Sequence, residues 1–408
     1  MVRVILLSWA LLLGVALIML GNGLQTSLLG LRAADEGFAT AATGLIMSAF
    51  YVGFLAGSRY TPRIVASVGH IRVFAAWASM ASVAILLHGL WVHPVPWTLF
   101  RLLTGFCYAG LYVVAESWLN DRADNQTRGQ LLSAYMVVQY LGLAGGHLLL
   151  NLSAPSELVL FVLTSALISL SLVPISLTTS ATPPTERQES LRLRQLFTLS
   201  PLGVVASVGA GLSTGALLGM GAVYAEGVDL TVTEVSFFMA ALILGAALFQ
   251  FPLGRLSDRL DRRRVILGLN LVACAALLAA LAAVGHSTAL TLALIFCVGG
   301  VTLPVYALGV AFTNDDLRPS QMVAASSSLV LLFGLGASLG PLAVAAAMAL
   351  VGPGGFFCAI AAMHAIIAVF ALIQTLRRSP RDADAQEDYL PVAGSTALGA
   401  HHIAPEEP

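Results

Sequence analysis

Twelve apolar stretches, each long enough to cross a lipid bilayer as a helix, alternate with short polar breaks along this chain. A span needs about 20 mostly apolar residues, because a helix rises about 1.5 Å per residue and the hydrocarbon core is about 30 Å thick. On that template the pattern predicts helices at about 3–28, 41–59, 71–91, 96–119, 129–152, 158–177, 200–224, 233–253, 265–284, 289–312, 323–350 and 354–376. Two polar stretches are longer than a turn. Residues 178–198, rich in Thr, Pro, Glu and Arg, read as a cytoplasmic linker; residues 377–408 read as a disordered cytoplasmic tail. The expected organisation is a six-helix bundle at 1–177, the linker, a second six-helix bundle at 199–376, and the tail.

Composition narrows the class. Of 408 residues, 58% are apolar and 10% charged, against roughly 45–50% apolar in a soluble domain. The chain therefore reads as an all-α, multi-pass protein surrounded by the lipid bilayer. A formal net charge of −1 leaves no expectation of a nucleic-acid partner. Cys107, Cys274, Cys297 and Cys358 fall in separate apolar runs. Neither metal nor disulfide spacing is present, so free thiols and no metal or other cofactor are expected. The run after Arg3 lacks a small-x-small cleavage site and leads into further spans, so it is expected to remain as the first helix.

Arginine counting sets the orientation, since basic residues accumulate in cytoplasmic loops. All 20 basic residues are arginine, and 18 lie at the N-terminus, in even-to-odd connections or in the tail. Arg101 is inside a span, and the opposite side holds only Arg32. Both termini are thus expected in the cytoplasm, as an even number of spans requires. Trp91 and Trp97 flank the connection between spans three and four, where aromatic belts sit.

The two halves repeat. Asn120-Asp121 after span four and Asn314-Asp315 after span ten are 194 residues apart, as are Gly105 and Gly299, and Tyr112 and Tyr306. Gly142-Leu143-Ala144 resembles Gly334-Leu335-Gly336, and Gly57 precedes Gly254 by 197. Parallel repeats of this kind occur in transporters.

The densest charge in the chain lies between spans eight and nine. Gly254-Arg255-Leu256-Ser257-Asp258-Arg259-Leu260-Asp261-Arg262-Arg263-Arg264 puts seven charges into eleven residues. A topology signal alone accounts for the arginines but not for Gly254 and Asp258. The spacing Gly-x-x-x-Asp-Arg with a following basic cluster resembles the signature loop of the major facilitator superfamily of secondary transporters. That resemblance implies twelve helices in two pseudo-symmetric six-helix bundles in a bacterial inner membrane. It also implies a cytoplasmic latch, expected here from Gly254, Asp258, Arg259, Arg262 and Arg263 with Glu116 and Arg128. Gly254 is expected to admit a neighbouring helix, and Asp258 to accept hydrogen bonds at the start of span eleven. The first-half counterpart runs from Gly57 to Arg63 and has Thr61 where the aspartate belongs, so the second-half latch is expected to dominate.

Arg101 with Gly105 resembles the superfamily's Arg-x-x-x-Gly pattern in span four, where the arginine faces the cavity and is tied to proton coupling. A lone arginine within a span is costly and should face protein or water. Snorkelling to the outer interface is the competing reading. Glu116, roughly 22 Å further along the helix, cannot pair with it; with Arg128 it resembles the family's intracellular salt-bridge network. By resemblance the cavity candidates are Asn22, Gln25, Tyr51, Arg101, Tyr112, Gln139, Tyr140, His147, Asn151, Gln250 and Tyr306, and the coupling candidates Arg101, His147 and Glu116. Pro304 is expected to kink span ten.

No Asp or Glu lies near the middle of any expected span, which favours an anionic or neutral solute over an organic cation. The antiporter pattern in span five has Gly142, Gly145 and Gly146 but lacks its proline, which weakens a drug-antiporter reading. The expected function is a proton-coupled secondary transporter of a small solute, a monomer working by alternating access and not an enzyme. The alternatives are drug or metabolite efflux by proton antiport, and a non-transporting sensor or scaffold that kept the fold.

Overall fold

The computed structural model describes residues 2–122, 128–176, 193–315, 317, 319–377 and 389; for 2–8, 120–122, 128, 129, 319, 320 and 323 it describes the backbone alone. Most of the expected linker and tail, Arg318 and the Arg128 side chain lie outside that description.

The helices are α1 (Val2–Asp35), α2 (Thr40–Val68), α3 (His70–Leu90), α4 (Pro94–Arg122), α5 (Arg128–Leu148), α6 (Val159–Leu170), α7 (Leu172–Ser176), α8 (Leu193–Leu199), α9 (Pro201–Glu226), α10 (Val232–Arg259), α11 (Arg262–Ala283), α12 (Thr288–Thr302), α13 (Val305–Asn314), α14 (Pro319–Val351) and α15 (Gly355–Arg377). Twelve segments are long and apolar enough to span a membrane, with α6–α7 and α12–α13 each forming one of them. Among the described residues no strand occurs. Hydropathy locates the spans but not their ends: α2 continues to Val68 and α10 to Arg259. Polar residues there are helical because the backbone bonds itself beyond the apolar boundary as well as within it. Span ten breaks between α12 and α13 at Leu303-Pro304; proline has no N–H to donate to the preceding turn.

By packing, the chain divides into two compact units: Met1–Arg187 with Leu218–Ala240, and Gln188–Leu217 with Ala241–Pro408. In the first, α2 packs on α4 through Gly53, Gly57 and Gly105. A Cβ on these would meet the carbonyl oxygens of Leu102, Phe106 and Phe50 respectively. Likewise α1 meets α5 backbone to backbone, Gly23 against the Leu143 carbonyl and Gly146 against that of Leu20. In lipid, apolar side chains gain little by leaving their surroundings, so close approach through small residues carries much of the association.

The second unit repeats the device. Gly299 of α12 faces the Leu242 carbonyl of α10, 194 residues after Gly105. Gly336 and Gly340 of α14 face Val208 and Leu212 of α9, 194 residues after Gly142 and Gly146. The sequence comparison of Gly142 with Gly334 is thus two residues out of register. Large apolar side chains such as Leu350, 84% exposed, and Leu376, 78% exposed, suit a lipid-facing exterior.

This packing generates a prediction. Gly105→Val overpacks the α2–α4 contact and is expected to cost about 1–3 kcal/mol or more. Gly268→Val, where a Cβ meets nothing within 4 Å, is expected to be neutral. Melting curves of the two purified variants check the contrast.

Candidate functional site

In the first unit one face of α4 collects Arg101, Tyr108 and Tyr112, seven and four residues apart, a spacing that keeps them on one helical stripe. Arg101 is 2% exposed. Its guanidinium lies over the Phe50 ring, 4.5 Å from the centroid, and its Nη2 donates to Met47 Sδ at 3.7 Å. Among the described residues its Nε and Nη1 have no hydrogen-bond partner and no carboxylate makes an ion pair with it.

The rings around it form a continuous group. Phe50 contacts Tyr51, Phe54 and Tyr108 at centroid distances of 5.4, 6.3 and 6.0 Å. Tyr112 follows at 5.8 Å from Phe54 and 6.2 Å from Tyr108. From α1, Asn22 Nδ2 donates to Tyr112 Oη at 3.1 Å, and Tyr112 Oη donates to Met19 Sδ at 3.7 Å. Gln25, three residues after Asn22 on the same helix face, is fully buried, and both amide atoms lack a partner among the described residues. The Asn22 Oδ1, Tyr108 Oη and Gln139 Nε2 atoms are in the same state. A buried polar group left unpartnered costs about 1–3 kcal/mol. Three helices, α1, α4 and α5, therefore hold donors and acceptors that the described residues do not satisfy.

The other first-unit candidates scatter. Glu116, 1% exposed, accepts from Tyr135 Oη at 3.1 Å. His147 is buried and hydrogen-bonded through Nδ1 to Ser27 Oγ at 2.7 Å. Tyr140 is half-buried on α5. Asn151 is exposed past the end of α5, donating to the Leu148 carbonyl at 3.0 Å and Ser236 Oγ at 2.8 Å. Neither partner belongs to the Arg101 group.

In the second unit the expected loop is mostly helix. Gly254 to Arg259 form the last turns of α10, and only Leu260 and Asp261 connect to α11. Asp261 caps α11, accepting from the Arg263 amide at 2.9 Å. Arg262 is buried, paired with Asp258 at 2.7 Å and with the buried Asp315 carboxylate, and it donates to the Ala311 carbonyl at 3.2 Å. Arg263 is buried with its guanidinium 5.9 Å from the Phe312 ring centroid; Arg259 is exposed. What stands against Gly254 is the ring of Tyr389, whose amide donates to Asp258 Oδ1 at 2.9 Å. The atoms nearest a Cβ at Gly254 belong to Tyr389 and not to a helix. Gln250 is buried on α10, and Tyr306 packs on Phe333 at 4.7 Å.

In the first-half counterpart, Gly57 faces the Phe106 carbonyl and Thr61 is fully buried, accepting from Trp77 Nε1 at 3.4 Å. Trp77 in turn lies against Gly110.

Sequence reasoning missed Tyr108, although its spacing from Arg101 and Tyr112 was available. It used Asp315 only as a repeat marker, and it missed His364, which joins Asn270 Oδ1 at 2.7 Å to Ser213 Oγ at 2.9 Å. Tyr389 carried no signal in a polar tail.

A family model described as Major Facilitator Superfamily matches residues 11–231 and 203–402. The chain is 27% identical over 333 residues to an uncharacterized MFS-type transporter, YcaD, of Escherichia fergusonii, covering 81% of this chain and 86% of that one. It is 26% identical over 334 residues to the MFS-type transporter Ent638_1421 of an Enterobacter species, with the same coverage. Among solved structures it resembles the nucleoside transporter NupG, with a TM-score of 0.76, 15% identity and coverage of 91% of this chain and 100% of that one. A bacterial homologue of the human lysosomal transporter Spinster, inward-facing and occupied, gives 0.70 at 18% identity, covering 93% and 98%.

The Arg262 cluster generates an ordered prediction. Asp315→Asn removes a buried partner from a buried arginine and is expected to cost about 3–5 kcal/mol. Asp258→Asn, at a carboxylate 31% exposed, is expected to cost about 1 kcal/mol or less. Thermal melts of the two variants check the order.

Proposed function

The chain belongs to the major facilitator superfamily, and on that footing we propose that it is a proton-coupled secondary transporter of a small organic anion. It works by alternating access in a bacterial inner membrane, with both termini in the cytoplasm. The observation that carries the reading is Arg101: a buried cation with two nitrogens unpartnered among the described residues. A charge held this way inside a membrane protein is expensive unless an anion completes it during the working cycle.

The surrounding groups support an organic anion over a bare inorganic one. The Phe50, Tyr51, Tyr108 and Tyr112 rings offer apolar and π surface. The unpartnered atoms of Asn22, Gln25 and Gln139 offer hydrogen bonds to its polar substituents. Glu116, a buried carboxyl bonded to Tyr135, and His147 are the candidate proton carriers. The latch assigned to Gly254, Asp258, Arg259, Arg262 and Arg263, with Glu116 and Arg128, is part of the same proposal. NupG, whose substrate is a nucleoside by its name, resembles this chain at a level that speaks to fold alone, so the solute class rests on the residues.

The test is a thermal-shift screen of the purified protein against organic anions, neutral metabolites and lipophilic cations. Ligand at 100 times its Kd raises stability by about 2.7 kcal/mol. The expected result is stabilisation by one or more organic anions that is lost in Arg101→Ala. In proteoliposomes a gradient of that anion should move protons with the wild type and not with the variant. Stabilisation by lipophilic cations alone, or anion-driven proton flux retained by Arg101→Ala, would overturn the reading.

A further inference from the structure

We propose that the Gly254–Asp258 face of α10 is a docking site for the chain's own C-terminal tail, seated through Tyr389. Nothing in the transport reading requires this contact, and it rests on separate observations. Tyr389 lies 12 residues beyond Arg377, the last residue of α15. Its ring occupies the space a side chain at position 254 would fill: a Cβ on Gly254 would lie 2.9 Å from Tyr389 Cγ and closer still to two other ring carbons. Its amide donates to Asp258 Oδ1 at 2.9 Å, the same oxygen that pairs with Arg262 Nη2 at 2.7 Å. The dock therefore uses the two non-basic residues of the motif, a glycine flat enough for a ring and a carboxylate placed for a main-chain N–H.

Charge supports the same occupant. The residues immediately before Tyr389 include Asp382, Asp384, Glu387 and Asp388. Arg255, Arg259 and Arg264 are exposed on the segment that receives it. Opposite charges attract within a Debye length of about 8 Å at physiological salt. The site thus recognises an acidic segment carrying an aromatic residue, and this chain supplies one.

The consequence is a strap. Asp258 Oδ1 is shared between Arg262 and the tail, so a rearrangement that turns this oxygen to a different donor must give up the Tyr389 amide. Release of the tail becomes a step in any rearrangement there.

Hydrogen–deuterium exchange on the full-length chain in lipid nanodiscs tests this without knowledge of the solute. The tail peptide containing Tyr389 is expected to exchange roughly tenfold or more slower than its unfolded rate. Gly254→Ala and Tyr389→Ala are each expected to return it to that rate while exchange within α15 stays unchanged. Unfolded-rate exchange of the tail in the wild type would overturn the proposal. So would slow exchange persisting in Tyr389→Ala, a variant that leaves α10 intact should Gly254→Ala disturb that helix itself.

Discussion

Water is absent from the interior of a bilayer, and that one fact governs both how these helices pack and where polar groups are tolerated. Helices cannot be driven together by burying leucine, since lipid is as apolar as the neighbour. They meet instead where glycine lets one backbone touch another, as α2 and α4 do through Gly53, Gly57 and Gly105. Every polar atom must then find its partner inside the protein. Most do: Ser82 bonds Ser165 and Ser169, His364 bridges Asn270 and Ser213, and Thr302 returns its hydroxyl to its own helix. Among those without a partner in the described residues, Arg101 is the one cation with two guanidinium nitrogens in that state, and its guanidinium lies over the Phe50 ring.

Much of the fold was legible because the same constraint writes itself into sequence. Twelve apolar runs gave twelve spans, and Pro304 marked the break in span ten. The repeat of Gly105 at Gly299 proved to be a repeat of function in packing, each facing a carbonyl of the helix two before it. Helix ends were less legible, since α2 and α10 outrun their apolar cores. The site was partly legible. Arg101 was visible as a charge out of place, whereas Tyr108 and Phe50 look like ordinary apolar content until the fold brings their rings to the guanidinium. Asn151 was harder to place, because its position past the last turn of α5 depends on where that helix stops.

The two motif segments show how one template serves two ends. Thr61 stands 197 residues before Asp258, the offset that also relates Gly57 to Gly254. In the first unit the threonine is sealed under Trp77, and the segment is a packing element. In the second the aspartate stays 31% exposed and accepts from Arg262, which also pairs with Asp315, and from the Tyr389 amide of the tail.

The connection from α10 to α11 is only Leu260 and Asp261, and it is clamped twice, by the Asp261 cap and by the pair from Asp258 to Arg262. Such a corner has almost no freedom to bend. The two helices are coupled as the arms of a bell crank: a pull on one arm turns the other, with nothing lost in the joint. A tug of a few ångströms applied at Gly254 would be felt along α11, as far as the mid-helix position where Asn270 holds His364 and beyond.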